Sequence, residues 1–339
     1  MAAKRVTISD VAKATGVSAG AISRILNNDP SLNVREETKT HVREMITKLG
    51  YSPNPQARGL RMSRSGTIAM IVPEINSPAF PAIILGAQTA ARELSYSMLL
   101  GGIGAEGEDP TLAARILERN RVDGFLVSTG FREKEQFAAV KKLSAPVVLV
   151  NRYVDDSVPH VILDDEDGVR AMIVYLFNLG HRRIAFLGGT LRFLGSRRLN
   201  GYKLALKELG LPFDNSLVID AGYDREGGEK AASQLLQLRR RPTALFSTNQ
   251  LVAAGAMHEA HRRGFKVPND VSVASLYDGA VAELLNPTVT SVSYPLDRLG
   301  YEAVSLLVAL VNGRSPGEAS ITIRHEKIIE RQSTGPAPE

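Results

Sequence analysis

The chain offers little that could make or break a bond. Gly102-Ile-Gly104-Ala-Glu-Gly107 has the glycine spacing of a dinucleotide loop and follows an apolar run. Glu106, Glu108 and Asp109 would repel a pyrophosphate there, so the match is weak. The six histidines (41, 160, 181, 258, 261 and 325) show no metal-ligand spacing with carboxylates. His258 and His261 sit among Glu259, Arg262 and Arg263 on a predicted helix and read as a solvated face. There is no nucleophile elbow, no phosphate loop and no cysteine. An enzyme is therefore disfavoured, no metal or cofactor is implied, and the chemistry left is recognition.

Recognition begins at Thr7–Asn28, TISDVAKATGVSAGAISRILNN. Ile8, Val11 and Ala12 give one apolar face, and Ile22, Ile25 and Leu26 a second, both at helical spacing. Ser9 is expected to cap the first helix and Ser18 the second, with Gly16 supplying the turn. Two helices joined this way form a helix-turn-helix, whose second helix enters the DNA major groove. The plain alternative is an ordinary helical hairpin, and charge decides against it. Residues 1–65 hold eleven Lys+Arg and five Asp+Glu, a net of +6, while the whole chain is +5. A basic head on a near-neutral body is the footprint of a nucleic-acid binder, because affinity comes largely from displacing phosphate counterions.

The remaining elements must hold that head and a body together. A helix is expected over Val34–Leu49, with Thr38, Val42, Met45, Ile46 and Leu49 inward, ended by Gly50. Residues 53–66 carry two prolines and a basic segment, either a flexible tether or a hinge helix that orders on DNA and wedges an apolar side chain into the minor groove. From Thr67 the pattern changes. Apolar runs at 68–72, 97–101, 124–128, 147–150, 161–163, 184–188, 244–247 and 271–276 read as strands. Helices are expected near 81–94, 110–120, 133–143, 166–179, 196–209, 225–240 and 249–263. Continuous apolar strands between helices argue parallel sheets covered on both faces. The N-terminus lacks an apolar signal region and no run approaches a membrane span, so a soluble, cytoplasmic protein is expected.

The ordered motifs VTISDVAKATGVSAGAISRILNN, VREETKTHV, LGYSPNPQARGLR, IAMIVPEINSPAF, DDEDG, LGHRRIAFLGG, RLNGYKLAL, VPNDVSV and LLNPTVTSV cover about residues 5–330. In them the chain resembles the lactose-repressor/galactose-repressor (LacI/GalR) family. The resemblance implies an all-α helix-turn-helix head (1–52), a hinge (53–66), and an α/β periplasmic-binding-protein-like core of two doubly wound lobes (67–339). Lobe one would span about 67–163 and 293–323, and lobe two about 164–292 and 324–330. A small molecule would bind the cleft between them, at the carboxyl ends of the strands. The implied function is a ligand-responsive regulator, a repressor by type, acting as a homodimer on double-stranded operator DNA.

Position by position, the resemblance puts Ser18, Ala19, Gly20, Ser23 and Arg24 toward the groove. Ala19 and Gly20, the usual specificity pair, are too small for bidentate base contacts. Arg24 suits guanine, or else a phosphate. Thr7, Asn27, Tyr51 and Asn54 fall at phosphate or positioning contacts, and Ala57 and Leu60 at the minor groove. Arg35 replaces a small residue and adds a phosphate contact, and the loop after the second helix is longer than usual.

Phe80, Asp167, Arg198, Tyr223 and Asn249 fall on effector-lining positions. Arg198 is a fork donor suited to hydroxyls or a carboxylate. The alternatives are a surface ion pair for Arg198 and a helix-start charge for Asp167. At the end of the 271–276 strand the chain departs from the family. Ser275 and Leu276 replace a glycine and an aromatic, and Tyr277 replaces the aspartate that clamps sugar hydroxyls. Tyr294 replaces a glutamine and Gln250 an aspartate. Either the effector is not a simple neutral monosaccharide, or Tyr277 partly fills the pocket. Alternatively the strand end shifts by one residue and Asp278 takes the clamp role. The tail after Ile329 has no heptad, so a dimer rather than a tail-tethered tetramer is expected. The competing classes are a transport-type solute receptor, against which the basic head and missing signal argue, and an enzyme.

Overall fold

The computed structural model describes residues 6–26, 29, 31–51, 64–73, 77–102, 122–128, 138, 142–143, 145–188, 194–314 and 320–338, the side chains of 194 and 195 excepted. Asn27, the hinge positions Asn54, Ala57 and Leu60, the loop beyond Gly102 and the helix expected at 110–120 lie outside them, as does nearly all of that expected at 133–143. Two compact units result, Met1–Gly66 and Thr67–Glu339.

The head contains α1 (Ile8–Thr15), α2 (Ala19–Leu26) and α3 (Glu36–Leu49). Val11, Ile22, Ile25 and Val42 form its buried centre, with Ile46, Leu49 and Tyr51 packed around them. Gly16 turns the chain at φ 71°, a conformation glycine adopts without strain. The first helix is capped by Thr7, not Ser9: the Asp10 carboxylate takes both the Thr7 N–H (2.9 Å) and its hydroxyl (2.7 Å). Ser9 lies inside the helix, two residues beyond the capping position. Ser18 does cap α2, accepting from the Ala21 N–H at 3.2 Å. The third helix starts at Glu36 because Arg35 still has extended ψ.

In the second unit the elements follow as β1 (Thr67–Val72), α4 (Phe80–Glu93), β2 (Ser97–Gly102), β3 (Gly124–Val127), β4 (Val147–Val150) and β5 (His160–Leu163). Then come α5 (Asp165–Asn178), β6 (Ile184–Gly188), α6 (Leu194–Glu208), β7 (Val218–Asp220), α7 (Arg225–Leu236) and β8 (Ala244–Ser247). The chain ends with α8 (Gln250–Arg262), β9 (Ser272–Leu276), α9 (Ala280–Leu284), β10 (Thr290–Ser293), α10 (Leu296–Val311), β11 (Ser320–Ile323) and β12 (Lys327–Ile329).

Two six-stranded sheets form, ordered β11-β5-β4-β3-β1-β2 and β12-β10-β9-β8-β6-β7. The first is parallel throughout; in the second only β12 runs antiparallel, against β10. Strands such as β1, β3 and β6 are apolar along their whole length because both faces are covered. The chain passes between the lobes three times, after β5, after β10 and after β11. Helix α10, not anticipated, repeats its buried side chains Leu296, Leu299, Ala303 and Leu307 at helical spacing and packs on α4. Glycines let these two backbones meet: a Cβ on Gly86 would lie 1.8 Å from the Asp297 carbonyl, and one on Gly300 1.9 Å from that of Ile83.

The tail, which has no heptad, packs back on the core. Residues 331–337 are stitched to lobe two: Ser333 N–H donates to Thr288 C=O (3.0 Å) and Ala337 N–H to Leu179 C=O (2.9 Å). His181, fully buried, reaches Thr243 (2.9 Å), Ser272 (3.1 Å) and the Gly335 carbonyl (3.1 Å).

Candidate functional site

In the head, the exposed start of α2 presents Ser18, Ala19 and Gly20. A Cβ on Gly20 would meet nothing within 4 Å, so this surface is bare rather than packed. Arg24, at the end of the same helix, is turned to its own chain. Its Nε donates to Asp29 (2.8 Å) and its terminal nitrogen to Ser31 (2.8 Å). Hydrogen bonds from Ser31 and Arg24 draw the Asp29 carboxyl down to about 2. The pair is half exposed, so the guanidinium can exchange Asp29 for a nucleic-acid acceptor at small cost. Arg35 is exposed before α3, and Tyr51 packs on the head's core.

The second cluster lies at the carboxyl ends of the core strands. Lobe one supplies Asn151 and Arg152 just after β4. Lobe two supplies Asp165, which opens α5, Arg198 from α6, and Tyr277 just after β9. The Asp165 carboxylate accepts from Arg198 Nε (2.9 Å) and from the Tyr277 hydroxyl (2.8 Å). Arg198 also donates to the Tyr277 oxygen, and Asn151 reaches that oxygen from the other lobe at 3.4 Å. Both charged groups are buried, with side chains 3% and 0% exposed. Burial alone would lower the Arg198 pKa, but the Asp165 carboxylate outweighs it and the guanidinium is held charged. Burial pushes the Tyr277 phenol above its usual range. It pulls Arg152 down, and Arg198 adds repulsion.

Tyr277 stands at φ 65°, a left-handed conformation costly for a side chain other than glycine. Gln250 holds it there, donating to the Tyr277 carbonyl at 3.2 Å. The Tyr294 ring meets the Tyr277 ring edge-on at 5.5 Å, and its hydroxyl donates to the Asp164 carbonyl (2.8 Å). Four buried atoms at these strand ends, Ser128 Oγ, Asn151 Oδ1, Thr248 Oγ1 and Gln250 Oε1, have no hydrogen-bond partner among the described residues.

Several expected positions are differently employed. Asp167, on the first turn of α5, pairs with Arg170 (2.9 Å) and lies 3.2 Å from the His325 ring, and the carboxylate at Arg198 is Asp165. Asp165 lies two residues beyond the end of β5, where open parallel sheets bind ligands, but that rule covers its acidic neighbours equally and does not single it out. Asn151 occupies the matching place after β4. Asp278 is engaged elsewhere: it pairs with Arg331 (2.6 Å) and accepts from Ser291, tying the tail to β10. Asn249 caps α8, accepting from the Val252 N–H (2.8 Å) and donating to the Tyr223 carbonyl (3.0 Å). Phe80 is buried at the start of α4, and Tyr223 is 37% exposed. A groove of about 360 Å³ beside α5 and α6, lined by Asp167, Arg197 and Glu208 among others, includes none of Asn151, Arg198, Tyr277 or Tyr294. No cluster of metal-ligating side chains occurs among the described residues, and no helix there is long and apolar enough to cross a membrane.

Residues 7–54 match the model of bacterial regulatory proteins, lacI family, and residues 173–334 that of the periplasmic binding protein-like domain. The chain is 31% identical to catabolite control protein A of Priestia megaterium, over 97% of this chain and 99% of that one. It is 30% identical to the HTH-type transcriptional repressor CytR of Escherichia coli K12, over 98% and 97%. Among solved structures, the lac repressor dimer bound to operator and the anti-inducer ONPF superposes with a TM-score of 0.86 at 25% identity, covering 98% of this chain and all of that one.

Proposed function

The chain belongs to the lacI family of bacterial regulatory proteins, and from that premise we propose a cytoplasmic homodimeric repressor that reads a pseudo-palindromic operator. It is a DNA-binding transcriptional regulator whose core takes a small-molecule effector. Operator affinity follows the effector because a ligand bound between the lobes favours one lobe arrangement over another, and DNA does the same from its own site.

The observation that carries this reading is the Asp165–Arg198–Tyr277 cluster. It joins a buried charge pair to a phenol where the carboxyl ends of β5 and β9 meet, one on each sheet, facing Asn151 just after β4. In the head, Ser18, Ala19, Gly20, Ser23 and Arg24 are assigned to base edges, and Thr7, Arg35 and Tyr51 to phosphates. In the core, Arg198 and Tyr277 are assigned to the effector seat, with Asp165, Asn151, Tyr294 and Gln250 around them. Exposed apolar side chains on lobe one support the homodimer: Leu85 on α4 (62% exposed) and Leu99 and Leu100 on the edge strand β2 (37% and 39%). Such side chains favour burial against a second copy. The lac repressor structure is itself a dimer on operator DNA.

The test is selection of operator DNA from a random duplex pool by the full chain, followed by titration with sugars, nucleosides and amino acids. A palindromic consensus whose affinity shifts with one ligand class bears the reading out. Failure to select any sequence overturns it.

A further inference from the structure

Resting on the reading of this cleft as the effector seat, we propose that Tyr277 is a built-in competitor for that seat. Its phenol occupies the ligand's place, and an effector enters only by displacing it. The Tyr277 hydroxyl already makes the bonds an incoming hydroxyl would make. It donates to Asp165 at 2.8 Å and accepts from Arg198 and, at 3.4 Å, from Asn151 across the cleft. Arg198 Nε is thus committed to Asp165, and the terminal nitrogen that would meet a ligand is committed to the phenol while it is home.

The surroundings are built around this side chain rather than filled by it in passing. Tyr277 is 6% exposed, with the Tyr294 ring edge against it. Its backbone sits at φ 65°, which a tyrosine holds only where its surroundings compensate. Gln250 and Asn151 both turn their amide N–H groups to Tyr277, one to the carbonyl and one to the hydroxyl. Both amide oxygens are left buried and without a partner among the described residues. Buried acceptors in that state favour any occupant that brings donors. The seat is thus satisfied on its charged side and unsatisfied on its amide side. A displacing ligand must offer a hydroxyl or an anion to Arg198 in place of the phenol, and O–H or N–H donors to Asn151 and Gln250. Its apparent affinity is reduced by the fraction of time Tyr277 is home.

Chemical rescue tests this directly. Tyr277→Gly suits the positive φ and leaves a hole of the shape of p-cresol. In the full chain the variant should unfold several degrees lower than wild type. Added p-cresol should recover at least half of that loss, as expected for a ligand that binds only the folded state. Wild type should be unmoved by p-cresol, its seat being occupied. Tyr277→Phe, which keeps the ring and loses only the hydroxyl, should show faster amide exchange around residues 151–152 and 277–278 than wild type. An equal p-cresol shift in wild type and variant would overturn the proposal. So would a Tyr277→Gly chain that folds and ignores p-cresol, or a Tyr277→Phe exchange pattern identical to wild type, which stands even if the glycine variant fails to fold. Operator selection by wild type is scored separately, so loss of DNA binding counts against the regulator reading alone.

Discussion

A Cβ placed on Gly168 would stand 1.9 Å from the Tyr294 hydroxyl. The glycine on the first turn of α5 and the tyrosine after β10 are therefore one decision, since the large ring is accommodated by the missing side chain. Gly168→Ala should cost about 1–3 kcal/mol, the usual range for overpacking. Combining it with Tyr294→Leu, which withdraws the hydroxyl, should cost less than the two single changes added together. Thermal or urea unfolding of the three variants measures the coupling.

Arg331 and Asp278 hold the tail. Asp278→Ala should cost about 1–2 kcal/mol, between the values for an exposed pair and a fully buried one. Burial would raise the Asp278 carboxyl, but hydrogen bonds from Arg331 and Ser291 outweigh it and hold it low. A carboxyl depressed in the folded state stabilises above its unfolded pKa and loses that contribution as pH falls through the folded one. The wild-type advantage over Asp278→Ala should therefore be full at pH 7 and shrink in acid. Effector affinity should be unchanged, because Asp278 faces the tail.

His181 gives a separate acid limb. Burial keeps its pKa below the ordinary 6.5, and Arg182 adds to the effect. The unfolded chain takes up this proton first, so stability is complete above about 6.5 and declines as pH drops below it. His181→Gln, which can still hydrogen-bond Ser272 and the Gly335 carbonyl, should flatten the slope of the unfolding midpoint between about pH 6.5 and 5.

How far the sequence was legible follows from where its signals are local. Most of the strands it revealed have both faces buried and read as runs of consecutive apolar residues; β2, an exposed edge strand, was read from its run at 97–101 all the same, whereas the buried β10, TSVS, lacks such a run. Strands β7, β11 and β12 are short and only partly buried, and their pairing depends on residues far along the chain. Arg198 could be picked out because it falls on a family position, and the tyrosines at 277 and 294 because they depart from one. Asp165 could not be told from its neighbours in DDEDG, because only the rotation of α5 puts one carboxylate inward and Asp167 outward. That Asp278 turns to Arg331 depends on the positive φ at Tyr277, which no residue type announces.

In the head, Asp29 holds Arg24 at 2.8 Å, and on the proposed DNA readout it is DNA's competitor for that guanidinium. Asp29→Asn should release the guanidinium and raise affinity for DNA of any sequence, most visibly at low salt. Arg24→Ala should lose about 1–3 kcal/mol on the selected operator if the side chain reads guanine, and should lower all sequences alike if it meets a phosphate. Gly20→Gln enters open space, so the head should fold as before while preferring a different base at one operator position. Binding to a mutant operator panel separates these outcomes.

Leu85→Asp together with Leu100→Asp should leave a folded monomer with much weaker operator binding, as judged by light scattering and DNA titration. Two charges on this apolar surface oppose burial against a second copy without touching either core.

Each of the two sheets takes an edge strand from the last part of the chain, β11 at 320–323 and β12 at 327–329. During synthesis neither lobe can be completed when its own first stretch has emerged. Lobe one waits, with β5 unpaired on one side, for more than 150 further residues to be made. A ribosome that stops within that interval releases two unfinished sheets rather than one finished lobe and one fragment. Exposed strand edges of that kind are prone to association. The interleaved path of the chain thus makes this regulator an all-or-nothing product of translation.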